Sequence, residues 1–263
     1  MSTMRNTRVH RRSLTARSVL LSVLLGTRPP RLPVSLLVST TELFGIAEGT
    51  TRTALSRMAA AGEVRADDGW YELTAPRLID RQARQARSRR GERRPWDGDW
   101  IQVVVVADGR RPAAERAALR TELSVGRLAE LREGVWLRPD NLDDPPPRGA
   151  QLAGFHVRPE SDPALLATKL WDLEGWAAEA RALRRRLAAL VGPLEVGDRT
   201  VLDEGFVLSA DVLRHLQSDP LLPDELLPAG WPGGDLRDDY DRYDAAYRAV
   251  LRSWFAAHRS AEA

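Results

Sequence analysis

Between Gly45 and Val64 the chain reads GIAEGTTRTALSRMAAAGEV, and a period of 3.6 residues sorts its side chains into two sets. Thr51, Ala54, Leu55, Met58 and Ala59 fall on one face of a helix that Gly62 ends. Arg52, Thr53, Ser56 and Arg57 are left outside. A guanidinium fork matches the guanine edge in a major groove, and short hydroxyls donate to phosphate oxygens without filling the groove. A solvated helix would more often carry Glu and Lys. We expect DNA contacts at Thr51, Arg52, Thr53, Ser56 and Arg57, with Arg65 on the following strand touching the backbone.

Other chemistry finds little support. The four histidines, His10, His156, His215 and His258, lack any spacing suited to a metal, and the chain has no cysteine. There is no GxSxG elbow, and the single lysine, Lys169, has no glycine-rich phosphate loop beside it. Asp108, at the end of an apolar run, is the one candidate ligand for a divalent cation, and a metal-dependent nuclease generally needs more than one hard oxygen ligand, or one from each of two subunits. The expectation is no catalytic residue, no metal and no cofactor.

The elements that would position the arginine-bearing helix are legible around it. Ala16, Val19, Leu20, Val23 and Leu24 mark a first helix; a second has Pro33 in its first turn and carries Leu36, Leu37, Thr40, Leu43 and Phe44. After the third helix, EVRADDGWYEL reads as two strands around an Asp67-Asp68-Gly69 turn. Three helices and a hairpin follow the order of a winged helix-turn-helix.

Charge is distributed unevenly. Residues 1–95 hold 18 arginines against 8 acids, and the remainder holds 21 Arg plus Lys against 29 acids, so a basic end of +10 precedes an acidic body of −8. A polyanion partner is expected at the basic end. RRSL at Arg11–Leu14 resembles a twin-arginine export signal, but Arg17 interrupts the approach to an apolar run too short to span a membrane, and no small-x-small site follows. We expect a cytoplasmic protein with no membrane partner.

Beyond Trp96 the run Ile101–Ala107 reads as a buried strand, PAAERAALRTEL as a helix, RLAELREGVWLRP as two strands, and QLAGFHVRP as another. That β, α, β, β, β order approximates a ferredoxin-like sheet without its second helix. From Asp162 the pattern is helical, broken by the proline-punctuated DPLLPDELLPAGWPGG. The expected class is α+β: a basic tail (1–13), a winged-helix domain (14–75), a basic linker helix (76–95), a central ferredoxin-like domain (96–160) and a mainly helical C-terminal domain (161–263).

RTALSRM in the third helix, the WDGDW start of the central domain, EGVWLRP, and DPLLPDELLPAGWPG together resemble the PaaX-like family of phenylacetic acid catabolon repressors, over nearly the entire chain. The resemblance implies a homodimeric repressor on double-stranded operator DNA. It also implies a central domain similar to ferredoxin-like CRISPR spacer-acquisition nucleases, and release by an acyl-coenzyme A thioester such as phenylacetyl-coenzyme A. On that reading Trp136, Trp171 and Trp176 could line an apolar slot, and Arg181, Arg184, Arg185 and Arg186 could meet coenzyme A phosphates. The alternatives are an architectural DNA-binding protein without effector and, behind it, the nuclease.

Overall fold

The computed structural model describes residues 14–27, 29–106 and 112–261, leaving aside the side chains of Arg81 and of residues 258–261. Two compact units emerge. One takes Met1–Ala83, Leu190–Ser209 and Ala245–Ala263, and the other Arg84–Ala189 and Ala210–Asp244.

In the first unit α1 (Ala16–Gly26) opens on a reciprocal cap between Thr15 and Ser18. Its apolar stripe, Ala16, Leu20, Leu21 and Leu24, packs with Leu37 of α2 (Val34–Leu43) and with Leu55 and Met58 of α3 (Glu48–Ala60). Val64 and Leu73, from the hairpin β2 (Val64–Asp67) and β3 (Trp70–Leu73), close that core. The turn between the strands holds Asp68 at φ +43° and Gly69 at φ +76°, the two left-handed positions of a tight hairpin, which Asp and Gly tolerate best.

One element departs from expectation. Pro33 does not sit inside the second helix; it caps it, after a three-residue strand β1 (Arg31–Pro33) paired antiparallel to β3, Arg31 opposite Glu72. Proline fixes an extended entry, and the partner strand lies about forty residues downstream, so RPPRLP has no local periodicity to announce the strand. The result is a helix, strand, helix, helix, hairpin winged helix with sheet order β1-β3-β2.

α4 (Pro76–Arg90) leads out of the hairpin. The second unit then holds β4 (Trp100–Val105), α5 (Ala113–Val125), β5 (Ala129–Arg132), β6 (Val135–Pro139) and β7 (Leu152–Val157). Every pairing is antiparallel and the order is β5-β6-β4-β7, the ferredoxin-like arrangement. The second helix of that arrangement is replaced by a loop over 140–151, where three consecutive prolines, Pro145 to Pro147, exclude a helix. One sheet face packs Ile101, Val103 and Trp136 with Leu123 and Leu128; the other packs Trp100 and Leu137 with Ala167, Leu173 and Leu222.

The remaining chain forms α6 (Pro163–Leu170), whose last turn carries the exposed Lys169, then α7 (Leu173–Glu195), α8 (Leu202–Gln217) and α9 (Gly233–Ala261). The proline-rich stretch before α9 is irregular apart from one short 3-10 turn. Among the described residues no helix is long and apolar enough to cross a membrane.

Candidate nucleic-acid interface

α3 presents the face the sequence points to. Leu55 and Met58 are buried, while Arg52, Thr53, Ser56 and Arg57 are exposed. Thr50 is exposed too, and its i+3 spacing to Thr53 was the signal that sequence reasoning passed over. Gly49, Thr50, Thr53 and Arg57 line a groove of about 640 Å³ with Thr15 and Arg17 at the start of α1. Ala47 provides no side-chain cap at the start of α3, though its carbonyl accepts from the Thr50 and Thr51 N–H groups at 3.0 and 3.1 Å.

Thr51 does not belong to this face. It is fully buried, and its hydroxyl lies 2.6 Å from that of Thr41 on α2. It stands one position from Arg52, and a step of 100° along the helix turns it into the core. The expected DNA contact at Thr51 is therefore withdrawn.

The remaining cations differ in how free they are. Arg52 Nε donates to Glu48 Oε1 at 2.7 Å, one turn earlier. On the hairpin Arg65 stands opposite Glu72 and meets its carboxylate at 2.6 Å. Arg31 lies 5.2 Å above the Trp70 ring and 3.2 Å from Asp67. Arg17 is held by Glu63, whose hydrogen bond raises the guanidinium pKa further above its ordinary value. Among the described residues of α3, Arg57 is the cation with no carboxylate partner.

Residues 14–75 contain six arginines and six acids, so the winged helix has no net charge of its own. The positive end divides between the residues before Leu14, with four arginines and no acid, and residues 76–95, with eight arginines and two acids. In the latter segment Arg87 faces Asp144, Arg89 faces Asp241 and Asp244, Arg90 faces Glu92, Arg93 faces Asp224, and Arg94 faces Asp140. These pairs fasten the end of α4 and the chain after it within the second unit.

The expected effector slot is not assembled. Trp136 and Leu137 are neighbours on β6 and point to opposite sheet faces, so Trp136 packs beside Leu123 while Trp171 stacks near Trp100 on the far side. Trp176 is sandwiched between Trp231, 4.5 Å away, and His215, 4.4 Å away. Arg184 donates to Asp239 and Asp235, and its hydrogen bond to Asp239 raises its pKa. Arg181 donates to the Gly230 carbonyl, Arg186 lies 3.4 Å from Asp211, and Arg185 is exposed. Trp136 thus lies on the sheet face opposite Trp171, whereas Trp171 and Trp231, on which Trp176 stacks, pack against the same cluster; Arg184 and Arg186 are already engaged by carboxylates.

Sequence reasoning also missed a buried polar knot in the second unit. Arg237 donates to Asp219 at 2.8 Å and to the Ser88 carbonyl, and Arg127 donates to the Gln217 carbonyl and the Ser88 hydroxyl. Burial pushes Arg127 down to about 10, against the pull of Asp219. Its members are spread over some 150 residues, and no spacing rule gathers them. Asp108, the candidate nuclease ligand, lies outside the described residues, and among those described no cluster of His or carboxylates could hold a metal.

The comparisons with known proteins agree with this architecture. Residues 15–76 match the model of the PaaX-like protein family, and residues 171–257 match that of the PaaX-like protein C-terminal domain. No curated protein matches. Among solved structures, the uncharacterized protein Rv0674 from Mycobacterium tuberculosis is 44% identical, with 92% of this chain and 99% of that one covered and a TM-score of 0.75. With a winged helix exposing arginine and hydroxyl groups at one end and both family models matched, the chain belongs to the PaaX-like family of transcriptional regulators.

Proposed function

We propose that the protein is an operator-binding repressor of an operon for the catabolism of phenylacetate or a related aromatic acid, acting as a homodimer and not as an enzyme. The observation that carries the DNA part is the outer face of α3, where Arg52, Thr53, Ser56 and Arg57 stand exposed on a helix whose other side is core. Arg57 is the base-reading group, Arg52 and Thr53 support it, and Arg65 on the hairpin meets the phosphate backbone. One such helix reads too few base pairs to be selective alone, so two copies on two half-sites are needed. Release by an acyl-coenzyme A thioester is supported by family membership.

The test is a footprint on the DNA upstream of the protein's own gene and of neighbouring aromatic-acid genes, followed by titration with phenylacetyl-coenzyme A, other acyl-coenzyme A esters and the free acids. The reading predicts a protected site with two related halves, and a thioester that dissociates the complex. A shift of 100-fold requires about 2.7 kcal/mol of differential affinity. Protection unaffected by every thioester would favour an architectural DNA-binding role.

A further inference from the structure

The sheet of the second unit ends differently on its two sides. β5 is a short outer strand with a bulge between Glu130 and Arg132, and Glu130 is tied to Arg120. Charges and bulges are the usual means by which an edge is kept from pairing with another chain. β7, the opposite outer strand, has neither: it reads LAGFHV, with no Lys, Arg, Asp, Glu or Pro, and its register with β4 is unbroken.

The hydrogen-bond phase along β7 decides which backbone groups are left over. The Val106 N–H donates to the Gln151 carbonyl, so by the alternation of an antiparallel pair Ala153, Phe155 and Val157 turn toward β4. Leu152, Gly154 and His156 turn outward. The Leu152 N–H donates to the Gly149 carbonyl at 3.0 Å, while the Leu152 carbonyl and both groups of Gly154 and His156 have no backbone partner among the described residues. Gly154, Phe155 and His156 are exposed. No described neighbour requires glycine at 154, where φ is not left-handed and an added Cβ meets nothing within 4 Å. Glycine inside a strand commonly marks the close approach of another backbone.

These outward groups are self-complementary. Antiparallel pairing with β7 of a second copy, about a two-fold axis through Gly154, sets Gly154 against itself, Leu152 against His156 and Ala153 against Phe155. Every outward residue then occupies a hydrogen-bonded position, and each Phe155 ring lies over a small Ala153 side chain. The same symmetry carries Arg148, before the strand, toward Glu160, after it, in the other copy. Both are exposed, and neither has an ion pair among the described residues.

We infer that β7 is the dimer interface, joining the sheets of two copies into one through Gly154. This rests on the homodimer reading above and names the surface which that reading leaves open. Because the same strand serves on both sides, the contact closes at two copies.

The chain has no cysteine, so Gly154→Cys supplies its only thiol. Across the axis the two Cα atoms stand about 5.5 Å apart, within the range of a disulfide. Mild oxidation should link this variant about tenfold faster than Leu165→Cys, a control at an exposed position of α6 in the same unit. Sedimentation equilibrium then follows Phe155→Lys, which sets like charges beside the axis and should raise the dimer Kd about 100-fold. Arg148→Glu should raise it about threefold to tenfold, and adding Glu160→Arg should restore it. Circular dichroism checks that each variant is folded. Dimers that survive Phe155→Lys, or a Gly154→Cys variant that links no faster than the control, overturn the interface and leave the homodimer to another surface. A double variant no tighter than Arg148→Glu overturns the axis through Gly154 and the proposal with it. A wild-type chain that is monomeric both alone and on its operator overturns the homodimer reading itself.

Discussion

The hydroxyls of Thr41 on α2 and Thr51 on α3 meet at 2.6 Å in the interior of the winged helix. The Thr41 hydroxyl also lies 2.8 Å from the Val38 carbonyl and that of Thr51 3.4 Å from the Ala47 carbonyl, so the two helices are joined by one short relay of hydroxyls. Replacing Thr51 with the isosteric Val leaves Thr41 its own bond and removes one buried link. The expected loss is about 1 kcal/mol of stability in urea denaturation, with no change in DNA affinity. Weakened DNA binding at unchanged stability would return Thr51 to the reading face.

Arg57 and Arg52 should behave differently, although both are exposed on α3. Arg57 carries no partner to give up, so Arg57→Ala should cost about 1 to 3 kcal/mol on a specific site. Arg52→Ala should cost less, because Arg52 must first leave Glu48. The inverse change is the sharper check: Glu48→Gln removes a carboxylate from the face and frees Arg52, so DNA affinity should rise several-fold at low salt. Equal losses for both arginines, with no gain from Glu48→Gln, would show that the Glu48 pair does not restrain Arg52.

Asp219 is 2% exposed and is the carboxylate that answers Arg237 in the second unit. Asp219→Asn leaves two buried guanidinium groups facing each other without a counter-charge, and breaking a buried pair from one side costs about 3 to 5 kcal/mol. Thermal denaturation should show a large fall in Tm. A fall of only a few degrees would mean that water reaches the knot.

His215 is half-buried against Trp176, and its Nε2 lies 3.0 Å from the Trp176 carbonyl. Burial lowers its pKa below the ordinary value, against the smaller opposing effects of that carbonyl, Glu179 and Asp219. The unfolded chain therefore takes up the proton first as pH falls. The stability contributed by neutral His215 is fully present above about pH 6.5 and is lost as pH drops from there toward the folded pKa. Denaturation midpoints from pH 7.5 to 5 should fall, less steeply in His215→Gln. Identical profiles would remove His215 as the cause.

What could be read from the chain was what repeats locally. The spacing of Leu55 and Met58 oriented α3, and Asp67-Asp68-Gly69 fixed the hairpin, because helix period and turn chemistry are properties of adjacent residues. β1 was invisible because its partner Glu72 is forty-one residues from Arg31. The alternation along β6 was legible in principle, and it should have separated Trp136 from any residue packed beneath Leu137. The charge of the first 95 residues was correctly counted, but its total concealed a neutral winged helix between two basic segments. Only the pairings revealed which arginines were already committed.

The placement of Lys169 has a consequence for chemical vulnerability. Acyl thioesters, the class proposed as effector, acylate amines, and an acylated lysine loses its charge. The only side-chain amine in the protein lies in the last turn of α6, in the second unit, while α3 and its flanking hairpin carry guanidinium groups alone. Guanidinium remains protonated throughout the physiological range and is a poor acyl acceptor. The groups that hold DNA would therefore keep their charge in a cell rich in the very compounds to which the regulator answers.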